Sequence, residues 1–164
     1  MCEYLLYMWQ VEDTLRAFGL DVERIEAEYV SRFDYSEEQR REVGEWYANL
    51  ARMMREEGVA EKGHVQVVKN TMQLLNELHL ETLKDPKQPF YSATYYKALP
   101  YIVELRAKGG GEKPEVETCL DALYGVMMLR LQGHEMSQET KVALEAITQL
   151  VALLAKLYQE QKDF

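Results

Sequence analysis

PEVETCLDALYGVMMLRLQG, residues 114–133, holds the start, body and stop of a helix in one run. Pro opens it, Val116, Leu120, Leu123, Met127 and Leu131 recur at intervals of 4, 3, 4 and 4, and Gly133 closes it. Proline is pre-set for a first helical turn, glycine tolerates the left-handed conformation that ends a helix, and intervals of three and four keep side chains on one face. A helix buried along one stripe follows.

The same grammar runs outward in both directions. Ser137 caps a last helix that carries Val142, Ala143, Ile147, Leu150, Leu154 and Leu157 inward and frays after Tyr158. Upstream, Gly109-Gly110-Gly111 reads as a linker, preceded by a helix from Ala93 to about Lys108 under a Ser92 cap. Pro100 lies inside that helix, where it lacks an N–H and crowds the preceding turn, so a kink or two short helices are expected. A fourth helix begins near Glu61 or His64 and ends at Lys84 before Pro86 and Pro89. Ser36 and Gln39 form a capping box for a third, stopped by Gly58, with Val43, Trp46, Tyr47, Leu50, Met53 and Met54 on one face. Asp21 caps a short second helix reaching about Ser31, and Gly19 stops a first helix that spans residues 1–18. No stretch alternates with the two-residue period of a strand. The expected fold is all-α: a single domain over residues 1–164, an up-and-down antiparallel bundle of six to seven helices, four to five of them long.

Composition narrows the function classes. Hydrophobic residues make up 47% and charged residues 29%, which suits a globule, and the longest apolar runs fall short of the ~20 residues of a membrane span. No basic run leads into a hydrophobic core at the N-terminus, and two cysteines, Cys2 and Cys119, make no disulfide framework, so a cytoplasmic protein is expected. The formal charge is −9, and residues 1–60 hold 14 Asp and Glu against 7 Arg and no Lys. An acidic surface repels phosphate backbones, which excludes nucleic acid as a partner.

No residue cluster has the spacing of a known chemistry. Glu61 and His64 share a helical face, but a di-iron bundle needs two such pairs and more carboxylates, and His79 and His134 stand apart; no metal site and no cofactor is expected. Cys119 reads as packing, there is no nucleophile elbow, and the glycine run follows a helix where a phosphate loop would follow a strand. Gly44 and Gly125 read as close helix approaches, and Glu12 with Arg16 as a surface pair.

Two clusters remain as candidate binding elements. Tyr91, Tyr95, Tyr96 and Tyr101 crowd around Pro100, where a bend would open a phenol-lined pocket for a small molecule. Tyr4, Leu6 and Trp9 make the first helix apolar on more than one side, which suits an interface with a protein partner or a second copy.

The opening run EYLLYMWQVED, residues 3–13, followed by FGLD at 18–21, resembles the start of a small uncharacterised all-helical family of Bacteroidetes proteins, a domain of unknown function. The resemblance implies a helical, cytoplasmic protein and no catalytic residues. The residues themselves lead to a non-catalytic protein acting through protein contacts or homo-oligomerisation. A small-molecule binder using the Tyr91–Tyr101 region is the alternative, and a metal-dependent enzyme built on Glu61 and His64 is a third.

Overall fold

The computed structural model describes residues 1–109 and 111–162. Its α-helices are α1 (Cys2–Ala17), α2 (Val22–Glu28), α3 (Glu37–Glu56), α4 (Gln66–Lys84), α5 (Pro89–Gly109), α6 (Glu115–Leu131) and α7 (Gln138–Lys162), with a 3₁₀ turn at Val30–Arg32. The described residues contain no strand, and none of their helices is long and apolar enough to cross a membrane. The fold class is all-α. The linker read at residues 109–111 includes Gly110, which lies outside the described residues.

Helix ends follow the sequence signals closely. At Gly19 (φ +64°) the Gly19 N–H donates to the Arg16 carbonyl and the Leu20 N–H to the Leu15 carbonyl, at 3.0 and 2.8 Å. This double bond pattern satisfies carbonyls the helix leaves orphaned and needs a left-handed residue that glycine adopts without a Cβ penalty. Gly58 and Gly133 end α3 and α6 with the same pair of bonds. At the other ends, the Ser36 hydroxyl accepts from Gln39 N–H while the Gln39 side chain accepts from Ser36 N–H, and Asp21 and Ser137 accept from Arg24 and Thr140 N–H.

Helix α5 departs from expectation. It starts at Pro89, not after Ser92, because Pro86 and Pro89 leave room for only a short turn in which Asp85 accepts from the Lys87 N–H. It then runs unbroken through Pro100, which sits on the exposed side, where water can hydrate the carbonyl that the missing N–H frees.

The chain packs as two compact units, one of residues 7–70 and one of residues 1–6 with 71 onward. In the first, α2, the 3₁₀ turn and α3 pack on one another, and Leu15, Leu20, Ile25, Val30, Tyr47, Leu50, Met54, Val59 and Val65 are buried. The second is built on mutual packing of α5, α6 and α7, with Ala98, Ile102, Val116, Leu120, Ile147, Leu150 and Leu154 inside.

The 7–70 unit holds a buried acid. Glu12 lies on the apolar stripe of α1, fully buried, and its two carboxylate oxygens meet His64 Nδ1 and the Val65 N–H, both at 3.0 Å. Trp9 stacks on the His64 ring at 4.7 Å. Val65 immediately precedes α4 and the Glu57 carboxylate accepts from the Gln66 N–H, so two acids meet the first N–H groups of that helix, where its dipole favours negative charge. The expected surface pair of Glu12 and Arg16 does not form: Arg16 bonds Asp13 and the Val59 and Gly63 carbonyls instead. Gly44 does mark a close approach, since a Cβ there would overlap the Glu26 carboxylate, whereas Gly125 faces open space.

Candidate functional site

The four tyrosines read as one cluster divide among three environments. Tyr91 is buried, and its hydroxyl lies 2.6 Å from His79 Nδ1. His79 Nε2 lies 3.4 Å from one Glu115 oxygen, and the Tyr95 hydroxyl donates to the other at 2.7 Å. A neutral imidazole protonated on Nε2 satisfies both contacts, accepting from Tyr91 and donating to Glu115. Burial holds the His79 pKa below its ordinary value, opposed by its hydrogen bond to Glu115 and the carboxylate's charge. Burial likewise pushes the Tyr91 and Tyr95 phenols up, with the Glu115 hydrogen bond second for Tyr95. With His79 and Tyr91 each 1% exposed and the Glu115 side chain 19% exposed, this Tyr–His–Glu–Tyr chain ties α4, α5 and α6 together with its carboxylate at the edge of the core. Tyr96 packs edge-on against Tyr95 with its ring 65% exposed, and Tyr101 stands on the wall of a separate groove.

That groove, about 720 Å³, is lined by α5, α6 and the start of α7, with Tyr101, Ala122, Gly125, Val126 and Ile147 in its walls and Glu104, Lys108, Asp121 and Glu139 also lining it. The two halves of α6 differ. Val116, Cys119 and Leu120 are buried, whereas Leu123, Val126, Met127 and Met128 are half-buried, Leu129 is 39% exposed and Leu131 67% exposed. A second hollow of about 300 Å³ flanks the same half-helix, between Leu123, Met127, Leu131 and Leu144. Of the residues read as an interface on α1, Tyr4 is 40% exposed, Leu6 is half-buried, and Trp9 is covered by its own chain.

A further hollow lies in the 7–70 unit, lined by none of the residues that the sequence singles out as candidates. Six aromatic rings form a continuous series there: Tyr7 against Trp46, Trp46 against Tyr47, Tyr47 against Tyr29, Tyr29 against Phe33, and Phe33 against Tyr35, with centroids 5.2 to 6.4 Å apart. They line a cavity of about 480 Å³, with Glu42 as its one charged lining residue. The series folds back on itself. Burial first, then the neighbouring phenols Tyr29 and Tyr35, push the Tyr7 hydroxyl above its ordinary pKa, and Tyr47 is raised by burial and by Tyr29, Tyr7 and Tyr35.

Among the described residues no three His, Cys, Asp or Glu side chains are grouped to hold a metal ion: His64 is engaged by Glu12, Glu61 is exposed, and His134 is exposed beyond α6. Cys2 and Cys119 are free and buried. Burial, with Glu115 and Cys2 adding to it, pushes the Cys119 thiol up to about 12.

Residues 1–163 match the model of a family described as a domain of unknown function, DUF4924. The chain belongs to that family. No curated protein and no solved structure matches it. Membership of DUF4924 thus carries no activity or ligand to this chain.

Proposed function

We propose that this protein is a non-catalytic cytoplasmic protein that works through self-association, the C-terminal half of α6 being its contact surface. The observation that carries this reading is the contrast within α6: the same helix that buries Val116, Cys119 and Leu120 leaves Leu129 and Leu131 in water beside half-covered Met127 and Met128. Exposed apolar side chains gathered on one element favour association, and methionine packs adaptably at such surfaces.

A second copy fits better than an unrelated partner because ridge and hollow lie on the same element. Leu129 stands in the wall of the groove lined by Ala122 and Gly125, where a Cβ on Gly125 would meet nothing within 4 Å, and Met127 and Leu131 line the smaller hollow on the opposite side of α6. A two-fold contact requires one patch to be complementary to itself, so the ridge of each copy fills the groove of the other. The groove's charges are of both signs and are matched within the chain, Lys108 pairing with Glu104 and Asp121 with Lys113, so an apolar contact there would bury no unpaired excess from these four. The burial of His79 and the raised Cys119 pKa support the non-catalytic part, and two free thiols suit a reducing compartment.

Sedimentation velocity tests it. A dimer is expected at about 10 µM, and Met127→Glu with Leu131→Glu should return a monomer with unchanged far-UV circular dichroism. A parent that stays monomeric at about 1 mM, or a dimer indifferent to both substitutions, overturns the reading.

A further inference from the structure

We propose that the aromatic hollow of the 7–70 unit is a binding site for an organic cation, an alkylated or quaternary ammonium group. It rests on a different unit and a different observation from the self-association of α6. Aromatic rings present a negative face, and a cation within about 6 Å of a ring centroid is attracted to it; an alkylated ammonium, whose charge is spread under methyl groups and weakly hydrated, loses little by leaving water for such a site. Here six rings are arranged in series around one hollow, and Tyr7, Phe33 and Trp46 keep 54, 41 and 39% of their surface exposed instead of closing into core.

Charge sets the sign of the occupant. Glu42, on the exposed side of α3, is a carboxylate on the lining, and neither Lys nor Arg lines the hollow; Gln10 and Thr14 supply the polar remainder. An anion would meet phenol oxygens, ring faces and a carboxylate with no compensating positive group. A neutral apolar ligand would gain the area but leave the concentration of negative potential unused. The volume of about 480 Å³ falls among ordinary small-molecule sites and exceeds what one methylated ammonium fills, so the cation belongs to a larger ligand or sits with water.

The hollow draws on three segments whose placement is built in. Tyr7 comes from α1, Trp46 and Tyr47 from adjacent positions of α3, and Tyr29, Phe33 and Tyr35 from the 3₁₀ turn and its flanks. Tyr47 and Val30 are buried and anchor the wall, while Tyr7 and Trp46 stand as a near-parallel pair 25° apart at the mouth.

Choline chloride and its uncharged isostere 3,3-dimethylbutan-1-ol are the probes, each titrated into the full chain by calorimetry and by tryptophan fluorescence. Choline should bind with a Kd in the roughly millimolar range, as its size allows, and at least about tenfold more tightly than the alcohol. Glu42→Gln, at an exposed position, should weaken choline about threefold and leave the alcohol unchanged. Trp46→Leu should weaken choline about tenfold. Trp46→Phe keeps a ring in the wall, so it should bind choline while losing the fluorescence response, which separates Trp46 from Trp9. Vesicles of phosphatidylcholine present the same group on a lipid: tighter binding to vesicles than to choline assigns the source as a headgroup, the reverse assigns a free solute, and either supports the site. Equal affinity for choline and the alcohol overturns the cation. Absence of saturation by choline and vesicles alike, with all variants folded by circular dichroism, overturns the site.

Discussion

Replacing Glu12 tests whether a single buried carboxylate holds the start of α4 in place. In Glu12→Ala the Val65 N–H and His64 Nδ1 lose their acceptor at a position that is fully buried. A hydrogen bond to a carboxylate contributes roughly 1.5–3 kcal/mol, and removing one partner of a buried pair costs roughly 3–5 kcal/mol because the other is left unsatisfied. A loss of about 4 kcal/mol is therefore expected, a large part of a typical stability of roughly 5–15 kcal/mol. For a chain of 164 residues that corresponds to a fall in Tm of about 10 °C. Glu12→Gln keeps the shape: its carbonyl still accepts from Val65, and its amide N–H can donate to His64 Nδ1 once that imidazole carries its proton on Nε2. Its cost should be about 1–2 kcal/mol, the difference between a carboxylate and a neutral acceptor at a helix N-terminus. Urea unfolding of the three proteins, followed by far-UV circular dichroism, measures both differences provided the m-values agree. The reasoning fails if alanine costs less than about 1 kcal/mol, or if glutamine costs as much as alanine.

Two further outcomes follow from buried titratable groups. His79 has a folded pKa below its unfolded value of about 6.5, so the unfolded chain takes up the proton first; its contribution should be complete above pH ~6.5 and be lost as pH falls from there toward the folded pKa, and His79→Leu should flatten that part of a urea-midpoint profile measured between about pH 7.5 and 5. An unchanged slope in the variant would show that His79 is not the group responsible. Cys119, with its thiol pushed up to about 12 and 2% exposed, and Cys2, also raised by burial, should resist iodoacetamide at pH 8 in the native protein and react fully in urea; rapid native alkylation of either would contradict the burial described.

How much of this was legible beforehand depends on the range of the interaction. Capping is local: Ser36 and Gln39 are three residues apart and bond only each other's backbone, and Gly19, Gly58 and Gly133 end helices through bonds that close within six residues. Such signals survive in the order of the residues, so the helices, their stops and the all-α class could be read from it. The start of helix α5 differs from the one the Ser92 cap points to, because Pro89 is itself pre-set for a first helical turn and begins the helix three residues earlier.

The sites were legible only in part. Glu12 and His79 each interrupt an apolar stripe, one four residues after Met8 and the other four after Leu75, and a titratable residue at such a position is a signal that a partner awaits it. The partners could not be named: His64 lies 52 residues from Glu12, and Glu115 lies 36 from His79. The sequence by itself determined which segments are helices and most of their ends, because these rest on contacts within a few residues, whereas how much of a stripe is covered, as in α6 where Leu120 is buried and Leu131 is 67% exposed, depended on what packs against it. Only tertiary structure decided that Tyr91 and Tyr95 serve a hydrogen-bonded network around buried His79 while Tyr7, Tyr29, Tyr35 and Tyr47 share an open hollow. Convergence of side chains from separate helices depends on crossing geometry, which packing sets and no local period encodes.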